Sequence, residues 1–407
     1  MKKSNSGLLF IMITVLVDVI GIGLIIPIMP ALYHELTGGS VSESSTYSAY
    51  LVFVYSLMQF IFSPIIGGLS DKYGRRPVLL FSLFGFGANY VFMAMAPTLA
   101  WLFVGRIISG ITGASFATAN AYIADISPVE KRAQNFGLIG AMFGVGFIIG
   151  PALGGLLGEM GTRVPLFVAA GLSLANWLYG YFFLPESLSP EQRRPFDLKR
   201  ANPIGSLVQL KKNPFVYALT GALFLVYVSG FATQGTWAFY TIEKFKWSEA
   251  QIGLSLAFLG LMAALVQGGL IRYAIPKYGA EKSLFTGLAF NTLGLLGFGL
   301  ANQSWMMYGV MVYNSLSGLA NPAFQGIISS KVPPDQQGEL QGGLTSLMSI
   351  AAIVGQPLML GLFRNFTKEG TAIYLPGMPF LVGAILSLIS IILTFRIIYR
   401  KNFANEN

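Results

Sequence analysis

Two ionisable side chains lie where charge is costly. Asp18 falls within an apolar run over residues 7–30, and Arg106 within another over residues 98–123. At about 1.5 Å per helical residue, Asp18 is ~16 Å from the first end of its run and Arg106 is ~12 Å from the first end of its own. In a hydrocarbon core about 30 Å thick, both sit near mid-depth. An ionised side chain there costs roughly 2.5–3.5 kcal/mol on insertion scales, so both are expected to face the protein interior or water. Burial favours the neutral carboxylic acid, whereas a nearby guanidinium favours the carboxylate. A carboxyl group held between those influences can load and release a proton as water reaches it from alternating sides. Asp18 and Arg106 are therefore the candidate proton-coupling residues. The plainer alternative is a fixed structural Asp–Arg pair.

A second group of charges is packed into Gly67-Gly68-Leu69-Ser70-Asp71-Lys72-Tyr73-Gly74-Arg75-Arg76-Pro77, a tight hinge between apolar runs over residues 47–69 and 78–96. Lys72, Arg75 and Arg76 mark that face as cytoplasmic, because basic residues accumulate in inner loops. Gly74 suits a backbone with positive φ, and Pro77 suits the first turn of the next helix. Asp71 is placed to cap a helix end or to pair with Arg75 or Arg76. Asp125 ends the fourth run on the same face. Gly150 and Pro151 lie in a glycine-rich run that packs closely and can bend. Gly68, Asp71, Gly74, Arg75, Arg76, Asp125, Gly150 and Pro151 are the candidate gate.

Uncharged polar residues also lie inside the apolar runs. Interhelical hydrogen bonds account for many of them. Gln59, Asn89, Asn120, Gln234, Gln267, Asn291, Asn314 and Gln325 are candidate substrate-binding residues, joined by Trp237. Trp237 and Tyr240 also fit an aromatic belt. The lone histidine, His34, stands beside Glu35 in the first outer loop and reads as a surface residue. The sequence shows no metal-ligand cluster, phosphate loop or nucleophile elbow, so an enzyme is not expected. Nor is a cofactor; a proton gradient would supply the energy.

The elements that carry these residues follow from composition. The chain has 407 residues, 54% hydrophobic and 11% charged, without cysteine. That composition excludes a soluble domain and fits an all-α polytopic membrane protein. The net charge of +9 follows the positive-inside bias and forms no basic groove, so nucleic acid is not an expected partner. The expected spans are residues 7–30, 47–69, 78–96, 98–123, 134–157, 163–184, 214–239, 250–275, 283–301, 304–330, 340–363 and 373–398. They give twelve helices in two sets of six, with both termini cytoplasmic. Residues 1–184 form one six-helix bundle, 185–213 a cytoplasmic linker and 214–407 the second bundle. Within the linker Ile204, Leu207 and Val208 have the spacing of a short interfacial helix.

The two sets echo each other at an offset of about two hundred residues. Gly67-Gly68 and Lys72-Tyr73-Gly74 recur as Gly268-Gly269 and Lys277-Tyr278-Gly279, without the aspartate. Gly150-Pro151 recurs as Gly355-Gln356-Pro357. Internal repeats of this kind belong to transporters built from two pseudo-symmetric bundles.

Over essentially its whole length the chain resembles the major facilitator superfamily, and within it the twelve-span drug/proton antiporters. Gly68 through Pro77 is that superfamily's loop signature in near-complete form, and Gly146 through Gly155 is similar to the antiporter motif of span five. Asp18 through Pro27, Gly105-Arg106-Ile107, Ala121 through Asp125, Leu184-Pro185-Glu186-Ser187 and Pro322 through Gly326 resemble the tetracycline-efflux subgroup. The resemblance implies an inner-membrane exporter working by alternating access. It places Asp71, Arg75 and Asp125 in one charge network at the inward gate, and Asp18 and Arg106 on the transport pathway. Two positions depart from the subgroup: Asn89 stands where it carries an acidic residue, and Ala263 where it carries a histidine. Both residues handle drug, metal or proton in that family, so the departures weigh against a metal–tetracycline substrate and leave Asp18 as the acid deep in a span. The expected function is proton-coupled efflux of an amphipathic small molecule by a monomer. Uptake or symport in the same fold is the alternative, and a non-transporting receptor a more distant one.

Overall fold

The computed structural model describes residues 2–113, 115–127, 129–193, 195–196, 202, 205, 210–211, 213–332 and 337–405. Among them the regular structure is helical. The first half holds α1 (Lys2–Ile25), α2 (Met29–Thr37), α3 (Val41–Tyr73), α4 (Arg75–Ala94), α5 (Leu99–Thr112), α6 (Ser115–Ile126), α7 (Val129–Gly158) and α8 (Val164–Phe183). The second holds α9 (Pro214–Phe245), α10 (Glu249–Leu265), α11 (Ile271–Tyr278), α12 (Ala280–Leu300), α13 (Ser304–Asn314), α14 (Ala320–Ser329), α15 (Gln337–Asn365) and α16 (Met378–Asn405). Ten of the described helices are long and apolar enough to cross a membrane. The two remaining spans are broken helices. They are α5 with α6, and α13 with α14 through a 3-10 turn at Ser315–Leu319. These occupy the fourth place in each set of six, and paired interruptions of this kind point to a transport pathway. The interfacial helix expected at Ile204, Leu207 and Val208 lies outside the described residues.

The expected hinge at residues 67–77 is shorter than its composition suggests. α3 runs helically through Asp71 and Tyr73, and α4 begins at Arg75. Only Gly74 breaks the helix, with φ 105°, a region costly for residues with a Cβ. Gly279 repeats the device at φ 83° between α11 and α12. The first span also ends early. α1 stops at Ile25, just before Pro27, because proline disfavours the α conformation of the residue preceding it.

The chain folds as two compact units. One comprises Met1–Gly39, Val54–Asn202 and Trp247–Gly260; the other comprises Ser40–Phe53, Pro203–Lys246 and Leu261–Asn407. In the first, α1 packs on α7 and α8, and α4 on α8. In the second, α9 packs on α15 and α16, and α12 on α16. The same partners, counted by span, recur in each unit. The first core gathers Phe10, Val15, Val19, Leu83 and Tyr122; the second gathers Leu219, Leu223, Leu288 and Phe324.

Glycine sets the closeness of the α1–α7 pair. A Cβ at Gly150 would lie 2.8 Å from the Ile20 carbonyl oxygen, and one at Gly146 would lie 2.9 Å from Val19 Cβ. Gly154 meets the Leu24 carbonyl. The i, i+4 spacing lays these glycines along one face, as small residues do where membrane helices touch. On another face of α7, Gly155 and the carbonyl of Pro151 meet Gly253 of α10. That contact explains why Trp247–Gly260 belongs to the first unit.

Candidate functional site

In the first unit, α1, α3, α4 and α5 bring Asp18, Tyr55, Tyr90 and Arg106 into one electrostatic neighbourhood. Both tyrosines feel both charges. Asp18 is 8% exposed and Tyr90 is 5% exposed. The Tyr90 hydroxyl lies where a Cβ at Gly21 would be 3.1 Å from it, so the glycine of α1 makes room for that ring. Tyr55 is joined to Gln59 by a side-chain hydrogen bond. Gln59 also reaches the Gly113 carbonyl at 3.5 Å, a carbonyl at the break between α5 and α6.

The two mid-depth charges do not neutralise each other: no ion pair joins Asp18 to Arg106. Among the described residues Asp18 accepts no hydrogen bond. Arg106 Nη2 contacts the thioether of Met29 at 3.5 Å, and its Nε is buried without a partner. Arg106 as a whole is half-buried, but its enclosed Nε is a donor left unsatisfied. Asn89 is close by and is 1% exposed. It donates to Ser109 at 2.6 Å, while its Oδ1 is buried without a partner.

At the Gly74 end, one guanidinium collects three oxygens. Arg75 reaches Asp71 at 2.5 Å, Asp125 at 3.1 Å and the Ser70 hydroxyl at 2.6 Å. Arg76 donates to the Tyr181 carbonyl at 2.7 Å. Gly68 lies beside Phe196. The largest organiser of this cluster is Glu186, which sequence reasoning left without a role. Its Oε1 accepts the backbone N–H groups of Arg75 at 2.9 Å, Ser187 at 2.9 Å and Leu188 at 3.1 Å. Its Oε2 accepts that of Arg76 at 3.3 Å. A helix begins with N–H groups that lack intrahelical partners, and Gly74 has no side chain to cap them. Glu186 does so from the far end of α8 and adds a negative charge where the helix dipole favours one. Ser187 then bonds Asp125 at 3.1 Å, which closes the ring.

Most of the remaining sequence candidates lie in the second unit; Asn120 and His34 lie in the first. Val266–Leu270 forms a π-helical turn between α10 and α11, and it packs against the 3-10 turn at Ser315–Leu319. Such irregular turns recur at functional positions. Gln267 sits exposed on the π turn, with its Cγ 4.0 Å from where a Cβ at Gly318 would be. Asn314, just before the 3-10 turn, has a buried Oδ1 without a partner. Asn291 is spent on helix packing: it donates to Ser387 at 2.9 Å and Ser229 at 3.3 Å. Trp237 is 1% exposed and lies edge-on to Phe298 at 5.2 Å. It is a core side chain, and neither a ligand-lining surface nor an aromatic belt holds it. Gln234 and Asn120 are exposed and Gln325 is half-buried, with no hydrogen bond among the described residues. His34 is exposed, its Nδ1 2.7 Å from the Gly39 carbonyl.

The sequence does not single out Tyr55 and Tyr90, because a tyrosine in an apolar run carries no mark of its neighbours. Glu186 had a fainter signal: an acidic residue one step after the proline that ends a span.

A family model for the Major Facilitator Superfamily matches residues 11–355 and 223–407. The class C tetracycline resistance protein of Escherichia coli is 39% identical over 95% of this chain and 96% of its own. The class H protein of Pasteurella multocida is 35% identical over 94% of each. Among solved structures, the human organic anion transporter MFSD10 has a TM-score of 0.72 at 22% identity, covering 96% of this chain and 99% of its own. The nucleoside transporter NupG has a TM-score of 0.74 at 14% identity, covering 96% and 98%. These two show the fold.

Proposed function

The chain belongs to the Major Facilitator Superfamily, and from that premise we propose that it exports an amphipathic drug across the inner membrane in exchange for protons. Asp18 carries the proton. Protonation removes a buried negative charge from the surroundings that Asp18 and Arg106 share through Tyr55 and Tyr90, and the charge balance there then changes with the facing of the cavity. Substrate favours one facing and the proton the other, so the two exchange by linkage. The observation that carries this reading is the pair of mid-depth charges left unpaired, with Arg106 Nε lacking a partner. An exchangeable partner satisfies such groups better than a fixed one.

The Gly74 cluster is the cytoplasmic gate in this reading, with Asp71, Arg75, Asp125 and Glu186 as its parts. Both termini then lie in the cytoplasm, and residues 185–213 link the halves there. Names of relatives put the tetracycline class first among substrates to test. Asn89 and Ala263 direct that test towards tetracyclines with and without a divalent metal.

The experiment is flux in proteoliposomes with an imposed pH gradient. Substrate is expected to move against the proton flow, and Asp18→Asn to abolish that coupling. Co-movement of substrate and protons, as in a symporter, would overturn export. Gradient-driven flux surviving in Asp18→Asn would remove Asp18 as carrier.

A further inference from the structure

We propose that a groove between the Gly38-side ends of α3 and α15 binds an anionic phospholipid. The groove encloses about 330 Å³ within the second unit. The Ser42 hydroxyl donates to the Arg364 carbonyl at 3.2 Å, so α3 starts where α15 ends and the two run antiparallel along the groove. Its lining is therefore graded. Thr46, Arg364 and Asn365 form the end nearest the water, and Phe53 and Pro357 form the end about 10 Å deeper, seven residues further along each helix, with Gly361 between.

The side on which the groove opens is apolar and uncovered. Tyr50 is 59% and Phe53 36% exposed on α3; Val354 is 46% and Leu358 42% exposed on α15. At 100° per residue Tyr50 and Phe53 lie within 60° of each other on α3, and Val354 and Leu358 share the groove side of α15. Both helices are long and apolar enough to span. An exposed apolar stripe on a spanning helix is covered by hydrocarbon, which makes this a lipid-facing groove.

Its polar end selects for negative charge. Arg364 is exposed, and among the described residues no carboxylate pairs with it. Glu43, one turn above Thr46, is taken up by the backbone N–H of Ser40 at 2.8 Å. Thr46 Oγ1 is buried without a partner. A planar guanidinium and an unsatisfied hydroxyl lining one groove match a phosphodiester. Midway along the groove a Cβ on Gly361 would meet nothing within 4 Å. That leaves space for the glycerol and first methylenes of one chain; the remaining tail lies on the exposed face. The leaflet is the outer one in the orientation proposed above, but the chemistry of the groove does not depend on it.

The test is thermal unfolding of the purified full-length chain in detergent, titrated with phosphatidylglycerol. It involves no transport, so its outcome is separate from that of the export reading. Phosphatidylglycerol is expected to raise the midpoint saturably, and phosphatidylcholine and inorganic phosphate are not. Arg364→Gln and Gly361→Leu are each expected to weaken the apparent affinity at least tenfold. Leucine enters open space, so that variant decides the matter should Arg364→Gln fail to fold. Equal response to phosphatidylcholine overturns the charge argument. Response to inorganic phosphate alone overturns the lipid, and full response in both variants overturns the site.

Discussion

Arg75 and Glu186 divide the gate between a side-chain charge and a backbone cap. Lysine at position 75 would keep the positive charge but lose the planar fork that meets Asp71, Asp125 and Ser70 together. Arg75→Lys is expected to lower the transport rate at least tenfold in a vesicle flux assay, with the purified protein still folded. A smaller test of pairing lies at the opposite end of the first unit. The Thr162 hydroxyl, together with Arg163, holds the Glu35 carboxyl below its ordinary value of 4.5 against a modest desolvation. Arg163 reaches Glu35 at 2.9 Å and the Ala94 carbonyl at 2.9 Å. A depressed carboxyl stabilises the fold above its unfolded value, and that contribution is lost as pH falls through the folded one. Glu35→Gln is therefore expected to lower the unfolding midpoint slightly at pH 7. The difference from wild type should vanish well below pH 4.5. Because the Glu35 side chain is 41% exposed, solvent screening keeps the effect to about 0.5 kcal/mol.

Elements respond through backbone contacts. At Gly150 an added methyl would press on the Ile20 carbonyl and on Gly23 Cα at 2.9 Å. Both are main-chain atoms, so neither can turn aside as a side chain does. Gly150→Ala is expected to cost about 1–3 kcal/mol and to shift chemical or thermal unfolding accordingly, whereas Gly140→Ala, with nothing within 4 Å, should not lower stability, since alanine favours a helix interior over glycine. The head of α4 makes a parallel case. Removing the Glu186 carboxylate leaves the Arg75 and Arg76 amides unmet, each at about 1–3 kcal/mol if buried. Glu186→Ala should speed hydrogen exchange at the start of α4, with Glu186→Gln recovering part of the protection through its remaining carbonyl oxygen. The loop signature is legible in the sequence because its charges are dense and its glycine sits at a helix break. The partner that caps it is not, since one glutamate over a hundred residues away in sequence shows no sign of where it folds back.

Across the whole molecule, neither compact unit is a contiguous half of the chain. Ser40–Phe53 packs with the second unit and Trp247–Gly260 with the first. A fragment of residues 1–202 thus lacks the segment that meets Pro151 and Gly155 of α7. Expressed alone, it should unfold at lower temperature and be cleaved faster by protease than when co-expressed with residues 203–407. Equal resistance in both settings would show that the borrowed segment adds nothing.

The sequence by itself determined the membrane class, the sets of spans, the repeat and the presence of two charges at mid-depth. Each of those follows from local composition against the thickness of hydrocarbon, a comparison that needs no partner. It also placed Asp71, Arg75 and Asp125 on one face. Only the tertiary structure decided that Asp18 and Arg106 stand unpaired, that Trp237 is core, that Tyr55 and Tyr90 flank the charges, and that two segments change units. Those outcomes depend on which helix faces meet. In an apolar environment the faces are chosen by backbone fit between small residues, which hydropathy does not register.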